Sequence, residues 1–437
     1  MQQIADFARA SQISDFDILG YDSMSESVEV FEGKVSNSEI QSAAALGIRV
    51  FKNTRPGIAF TERLTADALK VCLADAVSHC ELTDPVNFSV AENRPAPAGN
   101  FDHRSDGFDR VGFADLTQFA IDLESKARTL DKRIENVPYT GAGRSRGTGF
   151  FLNSRGVSYQ HTHEEFSAYS AAVAAAGEQK KMGFYSNSRR NFSELQQLGI
   201  AERAVERSVE QLGARPVPHG NYRVLFSNRV SGQIVSLYQS AFFALEALRG
   251  QSRLKGKLGE IIASPVFHLR SEALNTALKG ARARDSEGVP TRNIDVVQNG
   301  KFVNFLYNLE SAAADKVEST GNGSRSIASR TGTAFKNLVV TAGSQTREQL
   351  LSAGKILLID KLEGAAGCSA VSGELSIGAQ GFLCENGEIQ HAVDRITLSS
   401  NFFDMLQNIE QLSCEYNDQY SSLRVPDMLV ANIAVAG

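Results

Sequence analysis

Apolar positions along this chain recur with two periods. In Thr65–His79 they fall at Leu69, Cys72, Leu73, Ala76 and Val77, the three-and-four spacing of one helix face. The first twelve residues and the stretches 115–130 and 193–212 carry the same period, with Asp115 read as a cap. Elsewhere the period is two. Ile18–Leu19, Ser27–Phe31, Leu46–Phe51 and Pro56–Phe60 read as short strands, and Thr148–Leu152 and Val157–Ala174 as further strands. Glu32-Gly33-Lys34 marks a hairpin corner, and so do Asn299-Gly300 and Asn386-Gly387, because both central residues of a type I′ turn need positive φ. Residues 81–108, rich in Pro, Asn, Asp and Gly, read as a surface loop.

The second half opens with a strand at Tyr222–Phe226 and an apolar helix running to Leu245. Short strands follow at 293–298, 302–308, 338–341, 355–360, 375–379, 381–384 and 389–396, with helices at 346–352 and 402–409. Strands and helices do not alternate as βαβ units. The pattern predicts an α+β fold of two domains, with mostly antiparallel, curved sheets flanked by helices. Gly213–Gly220 holds two prolines and two glycines in eight residues and is the expected boundary. It separates an N-terminal α+β domain, 1–213, from a β-rich C-terminal domain, 214–437.

Composition narrows the function classes. The chain has 437 residues, 42% hydrophobic and 22% charged, a net charge of -5 and a pI near 5.9, so no global field draws it to nucleic acid or anionic lipid. No basic arm or recognition-helix pattern supports direct DNA contact. No run of about 18 apolar residues is present, so no membrane span is expected, and the opening MQQIADFARASQISDF lacks the form of a signal peptide. Five scattered cysteines without a CxxC pair suit a reducing, cytoplasmic location.

Four clusters could carry chemistry. His161-Thr-His163-Glu164 puts two imidazoles on one face if it is a strand and could chelate a metal; an exposed polar strand edge is the plainer reading. Gly143-Arg-Ser145-Arg-Gly147 matches the GxSxG string, but a strand follows it where a nucleophile elbow needs a helix, so a basic loop is expected. Ser319–Arg325 (STGNGSR) is a glycine-rich loop that could cradle an anion, with Asn322 and Arg325 as groove candidates, or else a surface loop. Asp285–Arg292 (DSEGVPTR) offers Asp285 and Arg292 to the same groove, or forms a solvated turn.

Several stretches, in order along the whole chain, resemble the TldD/PmbA family, also called modulators of DNA gyrase. They are Val28–Thr61, Asp285–Asn304, Gly373–Ile409 and the ending Pro426–Gly437. The resemblance implies a two-domain α+β fold and a part in cytoplasmic cleavage or maturation of unfolded peptides. It also implies a pairing of a zinc-bearing TldD-type subunit with a metal-free PmbA (TldE)-type subunit.

In the TldD branch an HExxxH motif lies in the segment equivalent to Asn221–Leu245. Here its three positions align with Ser236, Leu237 and Ala241, and the branch's late cysteine ligand falls near Ser421 and Ser422. A catalytic zinc needs about three protein ligands and a base beside its water. None of these residues supplies an imidazole, thiolate or carboxylate. The expectation is a PmbA-type chain with no catalytic residue and no metal or other cofactor of its own. Ile234, Val235, Leu237, Ala241, Phe242 and Leu245 would then be the core face of a helix. The implied partner is a zinc-bearing TldD-type subunit in a heterodimer, with a homodimer open to the isolated chain. Two other readings compete: a self-sufficient homodimeric hydrolase built on the histidine pair, and a non-enzymatic regulator that binds a protein.

Overall fold

In the computed structural model, residues 1–418 and 420–437 are described. The chain is α+β, and its sheets are mostly antiparallel. The N-terminal half is built on one six-stranded antiparallel sheet in the order β3-β2-β1-β4-β5-β6: β1 Asp15–Phe31, β2 Lys34–Lys52, β3 Arg55–Thr61, β4 Ile134–Asn153, β5 Ser158–Ala176 and β6 Gln179–Arg189. The corner between β1 and β2 is the expected one, with Glu32 at φ 53° and Gly33 at φ 71°.

The expected short strands merge into long ones. β1 and β2 pair from Asp15↔Phe51 to Phe31↔Lys34, straight through the polar stretch Tyr21–Ser25 that hides the continuity in the sequence. The reason is a divided helix layer. One end of the sheet packs Phe16, Ile18, Ile48 and Val50 against helices α1 (Gln2–Ala10) and α2 (Ala66–His79). The other end packs Val28, Val30, Phe166 and Ala168 against α3 (Phe113–Thr129) and α5 (Ile200–Val209). Between them the ladder hydrogen bonds carry the strands without an apolar signal. Gly112 starts α3, and the Asp115 carboxylate accepts from its N–H at 2.8 Å. The expected helix 193–212 is two pieces, α4 (Phe192–Gln196) and α5, broken at Leu198-Gly199.

The opposite face of this sheet has a different composition. Cross-strand rows run Leu19–Phe151–Tyr159, Tyr21–Gly149–His161, Ser23–Gly147–His163 and Ser25–Ser145–Glu165. It is a surface of small and polar side chains, and the second half of the chain packs against its lower rows.

That half holds a second six-stranded sheet. Its strands are β7 (Gly220–Phe226) and the segments Lys355–Glu363, Glu374–Glu385, Glu388–Asn401, Ile409–Tyr416 and Pro426–Ala436. Thr397–Ser399 also pairs with Ala434–Ala436, which closes five of these strands into a ring. Val224, Phe226, Leu357, Ile359, Val393 and Val430 belong to its core, which α6 (Asn228–Leu237) and Phe402–Gln407 cover. Both Asn-Gly corners form as expected, with Asn299 and Asn386 at φ 49° and 52°. A smaller sheet gathers residues 269–271, 294–298, 301–302, 338–340 and 423–424.

The apolar segment 228–245 is not one helix. α6 ends at Leu237, a single 3-10 turn spans Gln239–Phe242, and a short helix follows at Ala244–Leu248. Tyr238 sits at the break. Its ring stacks on Phe402 at a centroid distance of 4.5 Å, and its O–H donates to the Glu374 carbonyl at 2.5 Å.

Candidate functional site in the cleft between the two halves

Four buried charges fasten the two halves. Asp17 on β1 accepts from Arg49 on β2 at 2.5 and 3.1 Å, and Arg325 reaches the other Asp17 oxygen. Arg49 Nη1 also donates to Glu287 at 3.2 Å and to the Thr331 hydroxyl at 3.1 Å. Glu287 takes a further hydrogen bond from the Leu309 N–H at 2.8 Å. The four side chains are between 0% and 3% exposed. Burial alone would lower the Arg49 pKa, but Asp17 and Glu287 outweigh it and raise the pKa. Two cations and two anions thus neutralise one another at the foot of the polar sheet face.

Beside this clamp opens a cleft of about 300 Å³. The sheet contributes Gly149, Phe150, Tyr159 and His161; the second half contributes Arg282, Arg284, Asp285, Phe335 and Lys336. Gly149 is what lets His161 lie across β4, because a Cβ there would come within 2.5 Å of the imidazole Cε1. Tyr159 stacks on Phe151 at 5.2 Å and donates its O–H to the Asp285 carbonyl at 2.5 Å.

The sequence-predicted groove residues divide. Asp285 is 2% exposed, and its carboxylate accepts from the N–H groups of Glu287, Val289 and Gly323 at 2.7–3.0 Å. Burial raises its pKa, and Lys336 opposes the rise. DSEGVPTR is therefore a buried brace, which corrects the solvated turn. STGNGSR is likewise interior rather than a surface loop: Asn322 donates to Ser271 and to the Ala334 carbonyl, and Arg325 belongs to the clamp. Arg292 is exposed and lies with Arg94 and Pro290 around a different hollow.

GRSRG is neither an elbow nor a loop. It is mid-strand in β4, with Arg144 paired to Glu26 at 2.8 Å and Arg146 to Glu164 at 2.7 Å and Asp109 at 2.9 Å. HTHE also departs from expectation, because β5 is an interior strand rather than an edge. His161 and His163 do share a face, and a third histidine joins them. His103, from the loop after α2, bridges to His163, with ring centroids 6.1 Å apart, and His163 stacks on Tyr420 at 6.3 Å.

Arg190 donates to His103 Nδ1 at 2.9 Å, so the ring proton sits on Nε2, facing the Ala281 carbonyl. Burial, and after it the Arg282 charge, lowers both His103 and His161 to about 4. Glu165 is also lowered, which for a carboxylate favours the charged form. Burial would raise it, but His163 and Lys279 hold it at about 2. Neutral imidazoles beside Arg190 and Arg282 are poorly suited to a cation and well suited to an anion or a carbonyl.

His103, Arg190, Arg282, Lys336 and Tyr420 are missed from sequence, since they come from distant loops. One signal was available: Ala281-Arg-Ala-Arg284 directly precedes Asp285 and spaces two arginines by two residues.

The residues at the aligned zinc-ligand positions do not fit a metal. Ser236 is half-buried at the end of α6, and its hydroxyl accepts from Gln239 at 3.2 Å. Leu237 is 38% exposed, which corrects its assignment to the core face, and Ala241 is fully buried in the 3-10 turn. Gly232, one turn before Ser236, lies where a Cβ would be 3.1 Å from Leu423. That contact brings the segment with Ser421 and Ser422 close to α6. Ser421 Oγ accepts from Leu423 N–H, and the Ser422 carbonyl from Leu338 N–H. No imidazole, thiolate or carboxylate stands among these five residues, so no metal chemistry is derived through them.

Three family models match the chain. PmbA/TldA metallopeptidase domain 1 spans residues 16–80, the central domain 106–212 and the C-terminal domain 219–437. The chain belongs to the PmbA/TldD metallopeptidase family. Metalloprotease PmbA of Escherichia coli O157:H7 is 27% identical over 417 residues, covering 93% of this chain and 89% of that protein. Its homologue in Haemophilus influenzae is 24% identical over 414 residues, covering 92% and 88%. The TldE of Thermococcus kodakarensis has the same fold, with a TM-score of 0.88, 24% identity and 100% of both chains covered. A Thermotoga maritima structure described as a modulator of a DNA gyrase gives 0.89, with 24% identity and 100% and 99% covered.

Proposed function

We propose that this chain is the metal-free, TldE-type subunit of a peptidase complex that cleaves or matures unfolded peptides in the cytoplasm. Its zinc would be held by a TldD-type partner subunit. The carrying observation is the donor set at the aligned ligand positions. Ser236, Leu237 and Ala241 together with Ser421 and Ser422 give no zinc ligand and no base, in a chain whose fold otherwise matches its family end to end.

A second feature supports the peptide part of the reading. Residues 34–43 of β2 are exposed on both faces, and β3 pairs only with Leu46–Lys52, so the outer edge of β2 carries main-chain donors and acceptors with no strand beside them among the described residues. An extended peptide binds such an edge through backbone hydrogen bonds that ignore its sequence, and two folded subunits can meet there in the same way. The reading of a self-sufficient hydrolase on the histidine pair is less favoured, because the Arg282 charge acts on His161 and opposes a cation there.

The deciding experiment assays cleavage of an unfolded peptide by this chain alone, by a TldD-type chain alone and by the two mixed. Activity confined to the mixture and abolished by a chelator is the expected result. Chelator-insensitive activity of this chain alone would overturn the proposal.

A further inference from the structure

The charges around the cleft do not balance. The clamp below it is neutral, with Asp17 and Glu287 against Arg49 and Arg325. Glu165 answers Lys279, and Glu164 answers Arg146. The cleft wall adds Arg282, Arg284 and Lys336 against Asp285 alone, and among the described residues none of these three cations makes an ion pair.

Their donors are only partly used. Arg282 donates through Nη1 to the Ala281 and Lys279 carbonyls at 2.7 and 3.4 Å, leaving Nε and Nη2 without a partner among the described residues. Lys336 donates to the Gly323 carbonyl at 2.9 Å, which leaves two of its three N–H bonds. Arg284 is committed to holding the Gly288 and Arg94 carbonyls and serves as a brace. Asp285 makes no ion pair with these cations; its oxygens are taken up by three main-chain N–H bonds. Burial of Arg282 and Lys336 disfavours their charged forms, a cost that an anion would relieve.

We propose that this cleft is a carboxylate-binding site, in which Arg282 and Lys336 receive the anionic group of a bound peptide, either its C-terminal carboxylate or an Asp or Glu side chain. Two cations with spare N–H bonds in a half-enclosed pocket suit a two-oxygen acceptor. His161, neutral and fixed over Gly149, adds a polar wall that does not repel it. The peptide nature of the ligand rests on the functional reading above; the anion site does not.

The test is direct binding to the purified full-length chain, with no partner and no cleavage step. Three fluorescent unfolded peptides are compared by anisotropy: a neutral sequence with a free C-terminus, the same peptide amidated, and an amidated version carrying one internal Glu. A free acid binding about tenfold more tightly than the amide, with the gap closed by Arg282→Gln and by Lys336→Gln, supports the site and assigns it to the C-terminus. The same pattern for the internal Glu supports it and assigns it to a side chain. Arg282→Lys keeps the charge and is expected to retain most of the preference, which separates charge loss from misfolding. Equal affinity for all three peptides, a preference that both Gln variants leave intact, or no binding of any peptide would overturn the site. The mixed-subunit cleavage assay then judges the functional reading separately.

Discussion

Gly149 and His161 lie directly opposite each other on β4 and β5, and the imidazole occupies the space that a side chain at 149 would need. Gly149→Ala is therefore expected to rotate the ring out of the cleft at a stability cost of about 1–3 kcal/mol. The His161 imidazole resonances in a proton–nitrogen correlation spectrum should shift, while the backbone spectrum of the C-terminal ring stays in place. Unchanged imidazole resonances would show that the ring does not depend on the glycine.

Removing one partner of the clamp should be severe. Arg325→Met leaves Asp17 with Arg49 alone, and Asp17→Asn leaves Arg325 without its anion. Each is expected to lower unfolding free energy by about 3–5 kcal/mol, because an uncompensated charge remains buried. Urea unfolding should then split into two transitions as the halves uncouple. A single transition with a shift below about 1 kcal/mol would contradict the clamp's role.

Stability should depend on acid in two separate windows. His103 and His161 titrate near 4 in the folded chain and near 6.5 when unfolded, so the unfolded state binds more protons between those values. The histidine contribution is full above about 6.5, falls as the pH drops to about 4, and levels off below. Glu165, held at about 2 in the folded chain, contributes above its unfolded value near 4.5 and loses that contribution as the pH falls toward 2. Denaturant titrations across pH 3–8 should show the upper slope reduced in His103→Gln and the lower slope reduced in Glu165→Gln.

Grafting the missing motif should not create a metal site. Ser236→His, Leu237→Glu, Ala241→His and Ser421→Cys restore the donor types, yet α6 ends at Leu237 and Ala241 points into a packed core. The combined variant is expected to bind no zinc after dialysis by elemental analysis. Ala241→His alone should cost roughly 2–4 kcal/mol through overpacking and an unsatisfied ring nitrogen. Stoichiometric zinc in the graft would mean that the segment rewinds into one helix.

Much of the fold was legible from local signals. Thr65 caps α2, and the three hairpin corners carry positive φ where the turn residues require it. What the chain hid was continuity and depth. β1 and β2 cross a polar midsection on ladder hydrogen bonds, which have no side-chain signature. The site was half visible. Asp285, Asn322 and Arg325 stood out as polar residues in glycine-rich company, but their burial depends on an opposing sheet more than 100 residues away. His103 reaches the site through main-chain bonds from its loop to β5, and Lys336 through the packing of the two halves.

The clamp also constrains how the molecule can be made. Asp17 and Arg325 are 308 positions apart, so at about 5–20 residues per second a ribosome delivers the arginine roughly 15–60 s after the aspartate. During that interval the first sheet must stand with the Asp17–Arg49 pair open to water, which tolerates the two charges without a third or fourth. A nascent chain halted before residue 325 would thus present its polar sheet face bare, and a translating cell would have that surface to shield until the last quarter of the message is read.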